Sequence, residues 1–130
     1  KFNKISLQNA ARVELKEQLG LTGCEISQNI LPAGGEVPFY HAHKQNEEVY
    51  LFLEGEGVIE LDGQKVAVRE NDAVRVSPSV MRKVSAKTEL RFLCVQVKEN
   101  SLTQWTANDG IMGEWGKIVA LKQKSRLAFL

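Results

Sequence analysis

The chain is poor in the residues that most often carry chemistry. Among 130 residues there are two histidines, two cysteines, three prolines, two tryptophans and two tyrosines. The cysteines, Cys24 in Glu-Cys24-Glu-Ile and Cys94 in Phe-Leu-Cys94-Val, lack a CxxC spacing. That excludes a Cys-rich zinc signature and makes two reduced thiols in a cytoplasmic protein the expected state. No apolar run approaches the roughly 20 residues a bilayer span needs, and no secretory or lipidation signal is visible. A net charge of +1 gives no footprint for nucleic acid or an anionic membrane. No glycine loop that would cradle a phosphate and no nucleophile–base pair appears. Internal repeats, low-complexity tracts and linkers are missing too.

What is present is a strand pattern. Hydrophobic residues make up 43% and charged residues 25% of the chain, the balance of an ordinary globular domain. The length suits one domain, 1–130, with a real core. Residues 6–19 carry Ala11, Leu15 and Leu19 at helical spacing, with Ser6 or Asn9 as a cap and Gly20 as a stop, which predicts a short N-terminal helix. From Cys24 onward the pattern predicts strands at 24–31, 39–43, 49–53, 58–61, 65–68, 73–76, 83–85 and 90–97. Asp62-Gly63 is the dipeptide that a type I′ hairpin wants, because both central residues need positive φ. Short strands joined by turns, without intervening helices, indicate an all-β sandwich or barrel. Beyond residue 97, a turn is expected at Asn108-Asp-Gly110 and one more strand at 117–121, followed by a tail with Leu127, Phe129 and Leu130 to bury.

Both histidines fall in one stretch, His41-Ala-His43, with Glu48 close behind. On an extended strand, side chains at i and i+2 share a face, so the two imidazoles aim together. A reversal across residues 44–46 brings Glu48 opposite them. Two nitrogens and a carboxylate converging on a point make a candidate metal site. Strand parity also sorts the neighbours. Glu48, Tyr50 and Phe52 share one face, as do Phe92, Cys94 and Gln96, and such a mixed polar and aromatic interior suits a small-molecule pocket. The opposite, apolar faces need a cover, so a homodimer is expected.

These residues resemble the cupin superfamily. Its first motif, G-x5-H-x-H-x3,4-E-x6-G, is matched in full by Gly35, His41, His43, Glu48 and Gly55. In its second motif, G-x5-P-x-G-x2-H-x3-N, Asn71, Ser77 and Ser79 stand where the family has Gly, Pro and Gly. Arg82 takes the place of the metal-binding histidine. The two motifs and their strands cover roughly residues 24–97, with 98–130 as a C-terminal extension. The wording also resembles a group of small single-domain bacterial cupins. The resemblance implies a double-stranded β-helix, or jelly-roll barrel.

It also implies one divalent transition metal (Fe, Mn, Ni, Zn or Cu). Two histidines in total leave at most His41, His43 and Glu48 to hold it, with open positions for water or substrate. Against this stands an apo pocket whose imidazoles are held by hydrogen bonds alone. Arg82 has three readings: capture of a substrate carboxylate or phosphate, an ion pair with Glu47 or Glu48, or an exposed cation. Tyr50, Phe52, Cys94 and Gln96 are expected to line the pocket with it. Two functions follow from the resemblance. One is a metal-dependent enzyme acting on a small anionic metabolite, of isomerase, dioxygenase or decarboxylase type. The other is a non-catalytic module that senses or stores a small molecule or metal.

Overall fold

A computed structural model of the chain describes residues 1–113. It divides into two units, Lys1–Glu99 and Asn100–Leu130. Within the first, the order is β1 (Arg12–Glu14), α1 (Leu15–Leu19), β2 (Glu25–Leu31), β3 (Asn46–Glu54), β4 (Glu56–Leu61), β5 (Gln64–Arg69), β6 (Ala73–Val76), β7 (Arg82–Ala86) and β8 (Leu90–Lys98). The second contains the one-turn helix α2 (Thr106–Asp109), where a turn was expected. The predicted strand at 117–121 and the tail residues Leu127, Phe129 and Leu130 lie outside the described residues. No helix among the described residues is long and apolar enough to cross a membrane.

The strands form two antiparallel sheets, ordered β1-β2-β8-β3-β6 and β5-β4-β7. The first hairpin behaves as its sequence requires: Asp62 and Gly63 both adopt positive φ, 49° and 85°, and Glu60 pairs with Lys65 beside them. Gly55 sits at φ 89° directly against the chain at Glu89, where any Cβ would overlap the carbonyl oxygen. The last glycine of the first motif is therefore steric in origin. One core joins the sheets: Tyr50, Phe52, Val76 and Phe92 come from the first, Ile59, Val68 and Val84 from the second. The predicted interior parity of β3 and β8 holds, with Glu48, Tyr50, Phe52, Phe92 and Cys94 all buried. The alternate residues Val49, Leu51, Leu93, Val95 and Val97 are half-buried.

Two expectations need correction. The N-terminal helix does not run over 6–19; only Leu15–Leu19 is helical, while Arg12–Glu14 is a strand pairing with Ser27–Asn29 of β2. The helix begins late because its cap comes from another element. The Glu25 carboxylate accepts the N–H groups of Leu15 and Lys16, at 3.1 and 2.8 Å, orphan donors of a first turn. The segment before it is claimed by the sheet. Gln28, fully buried, donates to the carbonyl oxygens of Gln8 and Ala10 at 3.1 and 3.4 Å, which ties down a turn with Gln8 at φ 56° where a helix was expected.

The second correction concerns Phe39–His43, which is no regular strand. Residues 34–41 follow β7 through separate contacts, Val37 N–H to the Val84 carbonyl (3.0 Å) and a mutual pair between His41 and Arg82 (3.1 and 2.9 Å). Between the Glu36–Ser85 and His41–Arg82 bridges the register slips by two residues, which breaks the ladder.

Candidate metal centre

The His41–Arg82 bridge sets one imidazole beside the start of β7. His43 is held separately, its N–H donating to the Pro78 carbonyl at 2.8 Å. The rings meet edge to face, 5.2 Å between centroids. Glu48 comes from β3, whose register places it between Val76 of β6 and Gln96 of β8. The nitrogen and oxygen ligand atoms of His41, His43 and Glu48 all lie within 4.8 Å of one another. His43 Nε2 is 3.1 Å from Glu48 Oε2, and His41 Nε2 is 3.8 Å from Oε1.

Glu48 is 3% exposed, and burial by itself would raise its carboxyl pKa. Hydrogen bonds from Tyr50, Arg82 and Cys94 outweigh that and hold it below the ordinary carboxylate range. The Tyr50 hydroxyl donates to Oε1 at 2.8 Å. Burial, then the neighbouring Cys94 and Glu48, push the Tyr50 phenol upward, so it remains a protonated donor. Burial and Glu48 likewise push the Cys94 thiol up, which leaves it a poor nucleophile. Desolvation lowers the pKa of His41 against the pull of Glu48, and the charges of Arg82, His43 and Arg12 lower it further. His41 is thus neutral at pH 7, the form a metal ligand needs.

Arg82 is the residue whose placement most alters the sequence reading. Its side chain has no exposed surface. Nη1 donates to Glu48 Oε1 at 2.7 Å. Nη2 reaches the carbonyls of Ser77, Pro78 and Val80 at 2.9, 2.9 and 2.8 Å, and Nε reaches Val80 again at 3.0 Å. The guanidinium therefore stitches the 77–80 turn to Glu48, the ion-pair reading of Arg82; fully buried, it has at most one Nη1 N–H left for an anion and no free bidentate fork. A cavity of about 570 Å³ opens over the group. Tyr50, Cys94 and Gln96 line it as expected, although the Gln96 carbonyl oxygen already accepts from Asn46 at 3.0 Å. Phe52 does not line it; its ring packs in the core between Tyr50 and Phe92, at centroid distances of 6.4 and 5.5 Å.

The residues fit a divalent transition metal. Two imidazole nitrogens and one carboxylate oxygen, clustered at this spacing, can share an ion of that kind and leave positions open. Arg82 and Tyr50 both take Oε1, so Oε2 would be the oxygen offered to a metal, with the partners on Oε1 orienting it. The cost is electrostatic: the guanidinium neutralises Glu48 next to an incoming cation.

Sequence reasoning missed Arg12, Ser27 and Asn29, which also line the cavity. Ser27 and Asn29 carry a readable signal, two polar residues at i and i+2 on a strand, matching the interior parity of Cys94 across the register. Arg12 had none, since its segment read as helix.

The family model for the cupin domain matches residues 28–96; the chain belongs to the cupin family. Among solved structures, a cupin protein from Bacteroides fragilis is 46% identical, with 86% of this chain and 97% of that one covered and a TM-score of 0.83. A Thermotoga maritima protein, described as a predicted oxalate decarboxylase, is 26% identical over 67% of this chain and 78% of its own, with a TM-score of 0.60. An uncharacterized protein of Methanocaldococcus jannaschii is 31% identical over 71 residues, 53% of this chain and 56% of that relative. The match thus spans little more than half of that relative's length.

Proposed function

We propose that this cupin binds a small anionic metabolite at a divalent transition metal held by His41 Nε2, His43 Nε2 and Glu48 Oε2. The observation that carries the reading is the convergence of one ligand atom from each of the three residues within 4.8 Å on the wall of a cavity of about 570 Å³, a volume suited to one small molecule. When bound, such a metal supplies Lewis acidity, or oxygen activation if it is redox-active. The chain's own residues do the rest. Tyr50 and Arg82 hold Oε1 so that Oε2 stays aimed at His43. Phe92, Val37 and Val84 keep the space largely apolar. The name of the Thermotoga protein suits a small organic acid as the metabolite.

The test is the metal content of protein purified without added ions, followed by titration with Zn²⁺ and Mn²⁺. About one equivalent of transition metal, abolished by His43→Ala or Glu48→Gln, is expected. Metal-free protein with no saturable uptake at micromolar ion would overturn the reading. It would leave the second one, a metal-free binding module, which the 2.7 Å Arg82–Glu48 ion pair favours. We also propose a homodimer covering the half-buried outer residues of β3 and β8; a monomer in sedimentation at micromolar concentration would contradict it.

A further inference from the structure

Five charged side chains line the cavity: Arg12, Glu36, Glu48, Arg82 and Lys83. Four of them cancel within the lining, Arg82 against Glu48 at 2.7 Å and Lys83 against Glu36 at 3.0 Å. Arg12 is the surplus charge. Its carboxylate partner, Glu14, lies outside the lining, and both side chains of that pair are 60% exposed. An exposed pair of this kind is weak and screened by salt.

The guanidinium is nevertheless fixed in place. Arg12 Nη1 donates to the side-chain oxygen of Asn29 at 2.7 Å. Asn29 is itself buried, its Nδ2 donating to the Ser27 hydroxyl at 3.0 Å. On the other side Nε and Nη2 share Glu14 Oε1, at 3.3 and 3.1 Å. A guanidinium has five N–H donors, so these contacts leave donors on the terminal nitrogens without an acceptor among the described residues. Asn29 and Ser27 alternate on β2, and Ser27 stands opposite Cys94 in the register, which ties this polar strip to the strand beside Glu48. Much of the remaining lining is hydrocarbon, including Ile30, Leu31, Val37 and Phe92.

We propose that Arg12, positioned by Asn29, is the anion-recognising residue of this cavity, and that its ligand is a small acid with one carboxylate or phosphate on a largely apolar body. The inference rests on the reading of the cavity as the ligand site, and it moves the anion receptor from Arg82 to Arg12. Oriented, charge-assisted hydrogen bonds from a planar fork suit either head group.

The experiment titrates the full chain, metal-free and Zn²⁺-loaded, with hexanoate, hexyl phosphate and 1-hexanol, following backbone amide shifts. At least one anion is expected to bind about tenfold more tightly than the alcohol, the scale of one charge-assisted hydrogen bond. The stronger of the two identifies the head group. In the metal-free protein Arg12→Gln is expected to erase the preference while leaving the affinity for 1-hexanol, and the separate uptake of Zn²⁺, within about twofold. Glu14→Gln, which removes the competing carboxylate, is expected to raise the affinity for the anion. A metal-free wild-type protein that binds anion and alcohol alike, or none of the three, overturns the proposal, as does a metal-free Arg12→Gln variant that keeps the preference. Anion preference without Zn²⁺ uptake supports the proposal and sinks only the metal reading. Uptake of Zn²⁺ without anion preference does the reverse. An unchanged amide spectrum outside the cavity shows that Arg12→Gln is folded.

Discussion

The single strand β3 serves two ends of one interior on opposite terms. At Phe52 it packs on Phe92 in a core shared with Ile59, Val68 and Leu90, all at most 4% exposed, and the interior is filled with hydrocarbon. Four residues earlier, at Glu48, it meets Arg82, His43 and Tyr50, and the interior is a charged network under a cavity. The apolar end is held by removing surface from water, roughly 25 cal/mol per Å², and needs only suitable volume. The polar end gains little net energy from its ion pair, because both charges had to be desolvated. What it gains is position: a carboxylate with one oxygen anchored and the other turned to His43. The comparison separates residues that stabilise this barrel from residues that aim its chemistry.

Partner substitutions would break that comparison most forcefully. Arg82→Met leaves Glu48 buried and unpaired and is expected to cost about 3–5 kcal/mol in chemical denaturation. Phe52→Ala is expected to cost a similar amount, about 3–5 kcal/mol, through its cavity. The second change distinguishes the two ends. Adding Glu48→Leu to Arg82→Met should recover most of the loss, since replacing both buried charges is often neutral. Adding Phe92→Ala to Phe52→Ala should deepen it. A double variant at the polar end that is worse than the single would erase the distinction.

Tyr50→Phe removes one donor from Oε1 while Arg82 keeps its own, so a smaller loss of about 1–2 kcal/mol is expected, with metal affinity lowered as Glu48 loosens. The weakest effect is with pH. His41 and Glu48 both titrate below their ordinary values of 6.5 and 4.5 in the folded chain. The unfolded state therefore binds protons first as the medium is acidified, and stability is full above those values and lost below them. Stability should begin to fall below about pH 6.5 through His41 and steepen below about pH 4.5 through Glu48. His41→Gln should flatten the first part of the curve and leave the second. A profile unchanged by that substitution would show that the loss arises elsewhere.

Much of this architecture was legible in the sequence, for local reasons. The alternation along β3 and β8 and the Asp62-Gly63 turn are decided by residues that are close in the chain, and the interior parity of Glu48, Tyr50, Phe92 and Cys94 followed from them. The motif spacing placed His41, His43 and Glu48 together. What stayed hidden depends on partners distant in sequence. The course of residues 8–11 is set by the buried Gln28 amide, and the start of α1 by the Glu25 carboxylate; neither leaves a trace in the periodicity of Ala11, Leu15 and Leu19. Arg82 could be read three ways from its position. Its real one is fixed by three carbonyls of its own turn and one carboxylate from β3.

The central claim is that Glu48 faces a metal with Oε2 while Arg82 keeps Oε1. Crystals of the full chain grown with Zn²⁺ and measured at the zinc edge test it directly. The account predicts one anomalous peak about 2.0–2.2 Å from His41 Nε2, His43 Nε2 and Glu48 Oε2, with the Arg82–Glu48 contact retained. A structure at saturating zinc with no peak there, and His43 still hydrogen-bonded to Glu48, would contradict it.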